Sequence, residues 1–219
     1  GYLETGSAGA FAPAPTTNVE YWGDPFNITV SPTGTNHGSK TIKKQDGEVT
    51  LQPGRYNNIT IQTEGKVKMA TGTYYISGTL GLGSWGTLDA TAGVTLVFTG
   101  ASSKLDMSSS SWLKIHAPTG DTFPGFAVIQ NPAVNAVGTM HTIQGGADTV
   151  MRGIWYTPSA KVNITGGGGF NLSSAYFPLV TGKFETGGSG DFRIAIDYEQ
   201  YGYPAPLPLK VLTSQFARL

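Results

Sequence analysis

From Val49 onward, apolar and polar residues alternate in short runs: VTL at 49–51, ITI at 59–61, VKM at 67–69, TYYI at 73–76, VTLVF at 94–98, WLKI at 112–115, FAVI at 126–129 and GIWY at 153–156. A period of two puts every second side chain on one surface of a strand, and Gly, Ser, Asn or Pro bounds each run as a turn requires. No segment of helical length shows a 3.6-residue period. The pattern predicts an all-β chain.

Spacing narrows the architecture. In the last third, inward positions are expected at Ile154, Val162, Phe170, Phe177, Phe184 and Phe192, in steps of 8, 8, 7, 7 and 8 residues. Steps this short leave about three to five residues per strand plus a turn. They suit a right-handed parallel β-helix, each step being one rung, better than the alternative, a two-sheet β-sandwich with longer strands. A solenoid must also cover its ends, where unpaired backbone and apolar surface would otherwise be exposed. Residues 18–45 and the proline-rich YGYPAPLPLKVL at 201–212 are the expected covers, since proline cannot extend a ladder. The expected division is an N-terminal arm and cap at 1–48, the β-helix at 49–198 and a C-terminal capping tail at 199–219.

Composition then restricts the partners. Only 13% of the 219 residues are charged, against about 25% on average, and 31 are glycine, so Ser, Thr, Asn and Gly must cover much of the surface. Fourteen basic and fourteen acidic residues cancel; KTIKK at 40–44 is the densest basic patch. Electrostatic capture of nucleic acid or anionic membrane is therefore not expected, and neutral sugars or other proteins fit better. The absence of cysteine removes disulfides, thiolate zinc sites and thiol chemistry. No run approaches the roughly 18 apolar residues of a membrane span, and no secretory signal is visible. The start without Met, through a Pro- and Ala-rich stretch, reads as a processed form or an expressed fragment, in which any upstream anchor would not be visible.

KVNITGGGGFNL at 161–172 places four glycines after a strand-like run, where a phosphate cradle could lie. A P-loop needs GxxxxGK[ST], and a dinucleotide fingerprint needs a helix to follow. Here Phe170, Asn171 and Leu172 open another strand-like run, so Gly166–Gly169 are expected to turn between strands, with Ile164 and Leu172 or Phe170 facing one core. ETGGSGDF at 185–192 nearly spells a calcium-binding nonapeptide, but Asp191 falls one place early and no tandem copy exists. The sequons at Asn27, Asn58, Asn163 and Asn171 read as turn and strand chemistry.

For an enzyme, the best local collection is Asp148, Arg152 and Lys161, with His141 nearby; catalysis would require them to converge on one outer face. His37, His116 and His141 are too scattered for a metal triad, and SSSS at 108–111 has no base to activate it. Trp22, Trp85, Trp112 and Trp155 could stack on sugars or cap the core.

Several segments in order resemble the glycine-rich β-helical domain of TadE/TadG-like proteins of the Flp, or tight-adherence, pilus assembly system. They are LQPGRY at 51–56, GVTLVFTG at 93–100, APTG at 117–120, PGFAVIQN at 124–131 and GIWYTPSAKVNITG at 153–166. The matched positions are Leu51, Pro53, Gly54, Tyr56, Gly93, Val94, Thr99, Gly100, Ala117, Pro118, Gly120, Gly125, Gln130, Gly153, Tyr156, Pro158 and Ala160. The likeness covers about 49–166 and continues more weakly to 198; the first 48 residues lie outside it. It implies a non-enzymatic structural or adhesive subunit, a minor pilin or assembly component, outside the bacterial cell or at its surface, passing through the periplasm during assembly. Its implied partners are other pilus or envelope subunits and surface glycans, with a membrane reached only through an upstream anchor. No catalytic, cofactor-binding or metal-ligating residue carries over, and no cofactor is expected. Two alternatives belong to other classes: a β-helical polysaccharide lyase or hydrolase, and a glycan-binding adhesin.

Overall fold

The computed structural model describes residues 26–108, 110–145, 149–166, 171–174, 177–188 and 191–194. They form a parallel β-solenoid of about six turns with three sides. The first coil contains β1 (Asn36–Ile42), a 3-10 turn (Lys44–Asp46) and β2 (Glu48–Leu51); the second contains β3 (Gly54–Ile61) and β4 (Lys66–Met69). The third holds β5 (Gly72–Ile76), β6 (Thr79–Leu82) and β7 (Thr87–Ala90), and the fourth β8 (Val94–Phe98), β9 (Lys104–Met107) and β10 (Trp112–His116). The fifth holds β11 (Phe126–Gln130), β12 (Met140–Gly145) and β13 (Val150–Arg152), and the sixth β14 (Ile154–Gly166) and β15 (Asn171–Ser174). Beyond them, β16 (Leu179–Gly188) and β17 (Asp191–Ile194) continue the winding.

Side one stacks β5, β8 and β11 with the first halves of β3 and β14; side two stacks β6, β9 and β12 with their second halves. Side three stacks β2, β4, β7, β10 and β13. All these pairings are parallel. Inward residues align from coil to coil, as in Tyr74, Leu96, Val128 and Trp155 on side one and Ile61, Leu82 and Met107 on side two, and all are essentially inaccessible.

The seven- to eight-residue steps are sides, not rungs. Val162 registers with Phe184 rather than with Phe170, and Leu172 registers with Phe192. One coil therefore takes three steps. Equivalent side-one positions, Arg55, Tyr75, Val97, Ile129, Tyr156 and Val180, are 20 to 32 residues apart because the corners differ in length. Parallel stacking also begins ahead of the expected start at 49, since β1 already pairs with β3. Of the four-glycine run, Gly166 closes β14, and Asn171 then opens β15; the expected turn falls at 167–170, which lie outside the described residues. The tail at 199–219 lies outside them too.

Two corners repeat a backbone device. Gly54, Gly72, Gly93, Gly125 and Gly153 lead into side one with positive φ, between 82° and 141°. At Gly153 a Cβ would lie 2.4 Å from Ala117 Cβ and 3.0 Å from Ala127 Cβ, so both space and conformation demand glycine. The corner from side two to side three instead places non-glycine residues in left-handed conformation: Glu64, Trp85 and Ser110, with φ of 59°, 60° and 64°. Each is bridged by the same hydrogen bond, Gly65 N to Gln62 O, Gly86 N to Gly83 O and Ser111 N to Ser108 O.

Residues 26–35, expected to cover an end, lie instead along the flank of side one. Phe26 meets Phe126 and Tyr156 edge-on at 5.2 and 5.5 Å, and Ile28 and Val30 pack on the same core. At its far end Thr35 O accepts from Arg55 N at 2.8 Å. With this strap along its flank, side one is buried on both surfaces from β5 to β14, while Arg55 in β3 stays exposed.

Candidate functional site

The proposed catalytic collection is not assembled. Arg152 ends β13 on side three, whereas Lys161 lies in β14 on side two and pairs with Glu185 at 2.8 Å. Asp148 lies outside the described residues. His141 points into the core and is fully buried. The reason is topological: between 152 and 161 the chain crosses side one, so two corners separate the two residues.

His141 belongs to a polar chain through the interior. Leu105 N–H donates to its Nδ1 at 3.1 Å, Nε2–H donates to Gln130 Oε1 at 3.1 Å, and Gln130 Nε2 donates to Gly100 O at 2.8 Å. A backbone donor on Nδ1 fixes the neutral Nε2–H tautomer. Burial, with a smaller contribution from the Lys104 charge, pushes the imidazole down to about 3. The chain satisfies Leu105 N–H where β9 and β12 register at a single pair, Thr142 with Asp106. Gln130, a position of the resemblance, is thus a structural link between sides one and two.

Other positions of the resemblance wind the coil. Leu51 is core, Tyr56 O–H donates to Gln52 O at 2.5 Å, and Thr99 Oγ1 donates to Ile76 O at 3.3 Å. A Cβ on Gly54 would sit 2.5 Å from Thr35 O.

The remaining histidines have local roles. His37 stacks on Tyr56 at 4.8 Å, with Nε2 3.2 Å from Pro53 O. His116 is held below its ordinary value by partial burial and then by Arg152. Among the described residues, no group of three or more His, Asp or Glu could hold a metal ion, and no helix is long and apolar enough to cross a membrane. Asn58, the one sequon whose side-chain bond is defined, accepts from Thr79 N at 2.8 Å across coils.

The outer surfaces of sides two and three differ in charge organisation. On side two, Lys104 pairs with Asp106 at 2.8 Å, and Glu185 takes both Lys161 and Lys183, which hold its carboxyl below the usual range. Gly81 interrupts the outward row between Thr60 and Asp106, leaving an open polar groove of about 690 Å³ whose floor includes Gln62 and Thr79.

On side three, Lys68, Asp89 and Lys114 register as neighbours on adjacent strands, and Lys66, Thr87 and Trp112 form the row beside them. Asp89 is held below its ordinary value chiefly by the Thr91 hydroxyl at 2.6 Å, assisted by Thr91 N–H and the two lysines. Trp85 projects from the corner, 55% exposed, its ring 6.1 Å from Trp112. Trp155, by contrast, is core, and Trp22 lies outside the described residues. Comparison with protein families, curated proteins and solved structures finds no match to this chain.

Proposed function

We propose that the protein is a non-enzymatic structural or adhesive subunit of a bacterial pilus or cell envelope, of the tight-adherence type its motifs resemble, working outside the cell or at its surface. The observation that carries this reading is the edge of β1. This seven-residue strand pairs with β3 on one side, among the described residues no strand pairs with its other side, and most of its residues are exposed. Ile42 O accepts from Gln62 N, so Thr41, one residue earlier, directs its own N–H and C=O toward the open edge. A free strand edge is a template for adding a strand from a neighbouring subunit. Separation of Arg152 and Lys161 onto different sides supports the structural reading over a polysaccharide-cleaving enzyme.

The test compares the wild-type chain with Thr41→Pro, which removes only the outward donor. Wild type is expected to self-associate or to co-purify with pilus or envelope fractions, and the variant to lose this while keeping its circular dichroism. A wild-type chain that is strictly monomeric and absent from those fractions would sink the proposal.

A further inference from the structure

Side three carries an exposed aromatic ring at its leading corner and an excess of lysine over acid in the outward rows beyond it. The fold does not ask for a tryptophan at position 85. Neighbouring coils fill the same corner with Glu64 and Ser110 in the same left-handed conformation, at φ 59° and 64° against 60° for Trp85. A bulky side chain is disfavoured there, Gly or Asn being the inexpensive choices, and a ring left 55% exposed recovers little by burial. Trp112, half-exposed on β10, buttresses it edge-to-face at 6.1 Å.

The charge in the rows beyond this ring is mainly basic: three lysines stand against Asp89, which lies between Lys68 and Lys114, and Glu48, which registers with Lys66. Lys66, Lys68 and Lys114 are exposed on the outward rows of β4 and β10, and none of them takes part in an ion pair among the described residues. Asp89 accepts two hydrogen bonds from Thr91 and feels the charges of Lys68 and Lys114 without forming an ion pair with either. Adjacent strands lie about 4.8 Å apart, so Lys68 and Lys114 rise from points about 10 Å apart along the solenoid axis. That interval is comparable with two sugar rings.

We propose that this surface binds a linear acidic polysaccharide. A pyranose ring lays its C–H face on Trp85, where the electron-rich aromatic surface attracts polarised C–H groups. Carboxylates of the flanking uronate residues take charge-assisted hydrogen bonds from Lys68 and Lys114. The chain lies along the axis, across β4, β7 and β10. Binding belongs to the isolated chain and is independent of whether subunits assemble through β1.

The experiment is a tryptophan-fluorescence titration of the whole chain with a galacturonate hexamer, with cellohexaose and a short single-stranded DNA as comparisons. A saturable change with the uronate, weakened by salt and at least tenfold weaker with cellohexaose, is expected. Because Trp85→Ala removes the reporter, variant affinities are read by calorimetry: Trp85→Ala and the double variant Lys68→Gln/Lys114→Gln each lose at least tenfold. Lys183→Gln on side two changes affinity by less than twofold. Far-ultraviolet circular dichroism confirms that each variant is folded. The proposal is overturned if no uronate binding saturates by millimolar concentrations, if Trp85→Ala binds like wild type, if cellohexaose binds equally, or if the DNA binds more tightly than the uronate.

Discussion

Sides one and three are built from the same parallel stacking in the same coils, yet their outward surfaces are opposites. On side one, the outward row Tyr75, Val97, Ile129 is buried under the strap; on side three, the corresponding kind of row is Lys68, Asp89, Lys114. All five residues of β8, VTLVF, are buried, whereas β4, KVKM, alternates exposed and buried. A strand covered on both surfaces has no use for alternation, and its continuous apolar run signals that cover. Side one is thus committed to the fold, and side three is left available for recognition.

The largest effect should come from exchanging the two environments. Val97→Lys would place an ammonium under the strap and is expected to cost about 4 kcal/mol or more in urea unfolding. Lys114→Val, at an exposed outward position, should stay within about 0.5 kcal/mol. A Val97→Lys cost below about 1 kcal/mol would show that side one is not covered in solution.

The interior should respond to acid. His141 has its folded value depressed to about 3 from 6.5, so below 6.5 the unfolded chain binds the proton that the folded chain refuses. Its contribution is fully present above pH 6.5 and is lost as pH falls toward 3, at roughly 1.4 kcal/mol per unit. Going from pH 6.5 to pH 4 should therefore cost roughly 3 kcal/mol. His141→Gln, which keeps an acceptor for Leu105 N–H but does not titrate, should flatten that slope; an unchanged slope would place the acid sensitivity elsewhere.

Phe26→Ala tests the strap itself. Its half-buried ring should contribute about 2 kcal/mol, less than the 3 to 5 of a fully buried phenylalanine. Faster amide exchange should appear in β11 and β14 while the side-three rows remain unaffected. At the small end, Lys183→Gln removes a solvent-exposed partner of Glu185 and should change thermal stability by less than about 1 kcal/mol.

Much of the winding was legible in the sequence. Alternation in VKM and WLKI marked strands with one wet surface, and the even steps through Ile154, Val162 and Phe184 marked a solenoid. What the steps could not reveal is how many make a coil, because a period of seven or eight reads alike for a rung and for one side of a triangle. The five positive-φ glycines leading into side one mark the coils, but their spacing follows corner lengths too variable to look periodic. Trp85 and Trp155 could not be told apart locally: one sits in a corner, the other in the inward row with Tyr74, and both are flanked by small or apolar neighbours.

The candidate groups divide in the same way. His141, Arg152 and Lys161 are near in sequence, and sequence distance alone allowed them to share a face; strand alternation turns His141 inward on side two, and the corners place Arg152 on side three and Lys161 on the outside of side two. The sequence by itself determined strand character, the short steps and the turn chemistry, because these depend on nearest neighbours and on the backbone preferences of glycine, proline and β-branched residues. Only the tertiary structure decided which strands stack, that residues 26–35 cover a flank, and that Trp85 emerges against Trp112 at the corner of the side that carries Lys66, Lys68 and Lys114. Those relations join residues 18 or more positions apart, and they exist only once the coils have closed on a common core.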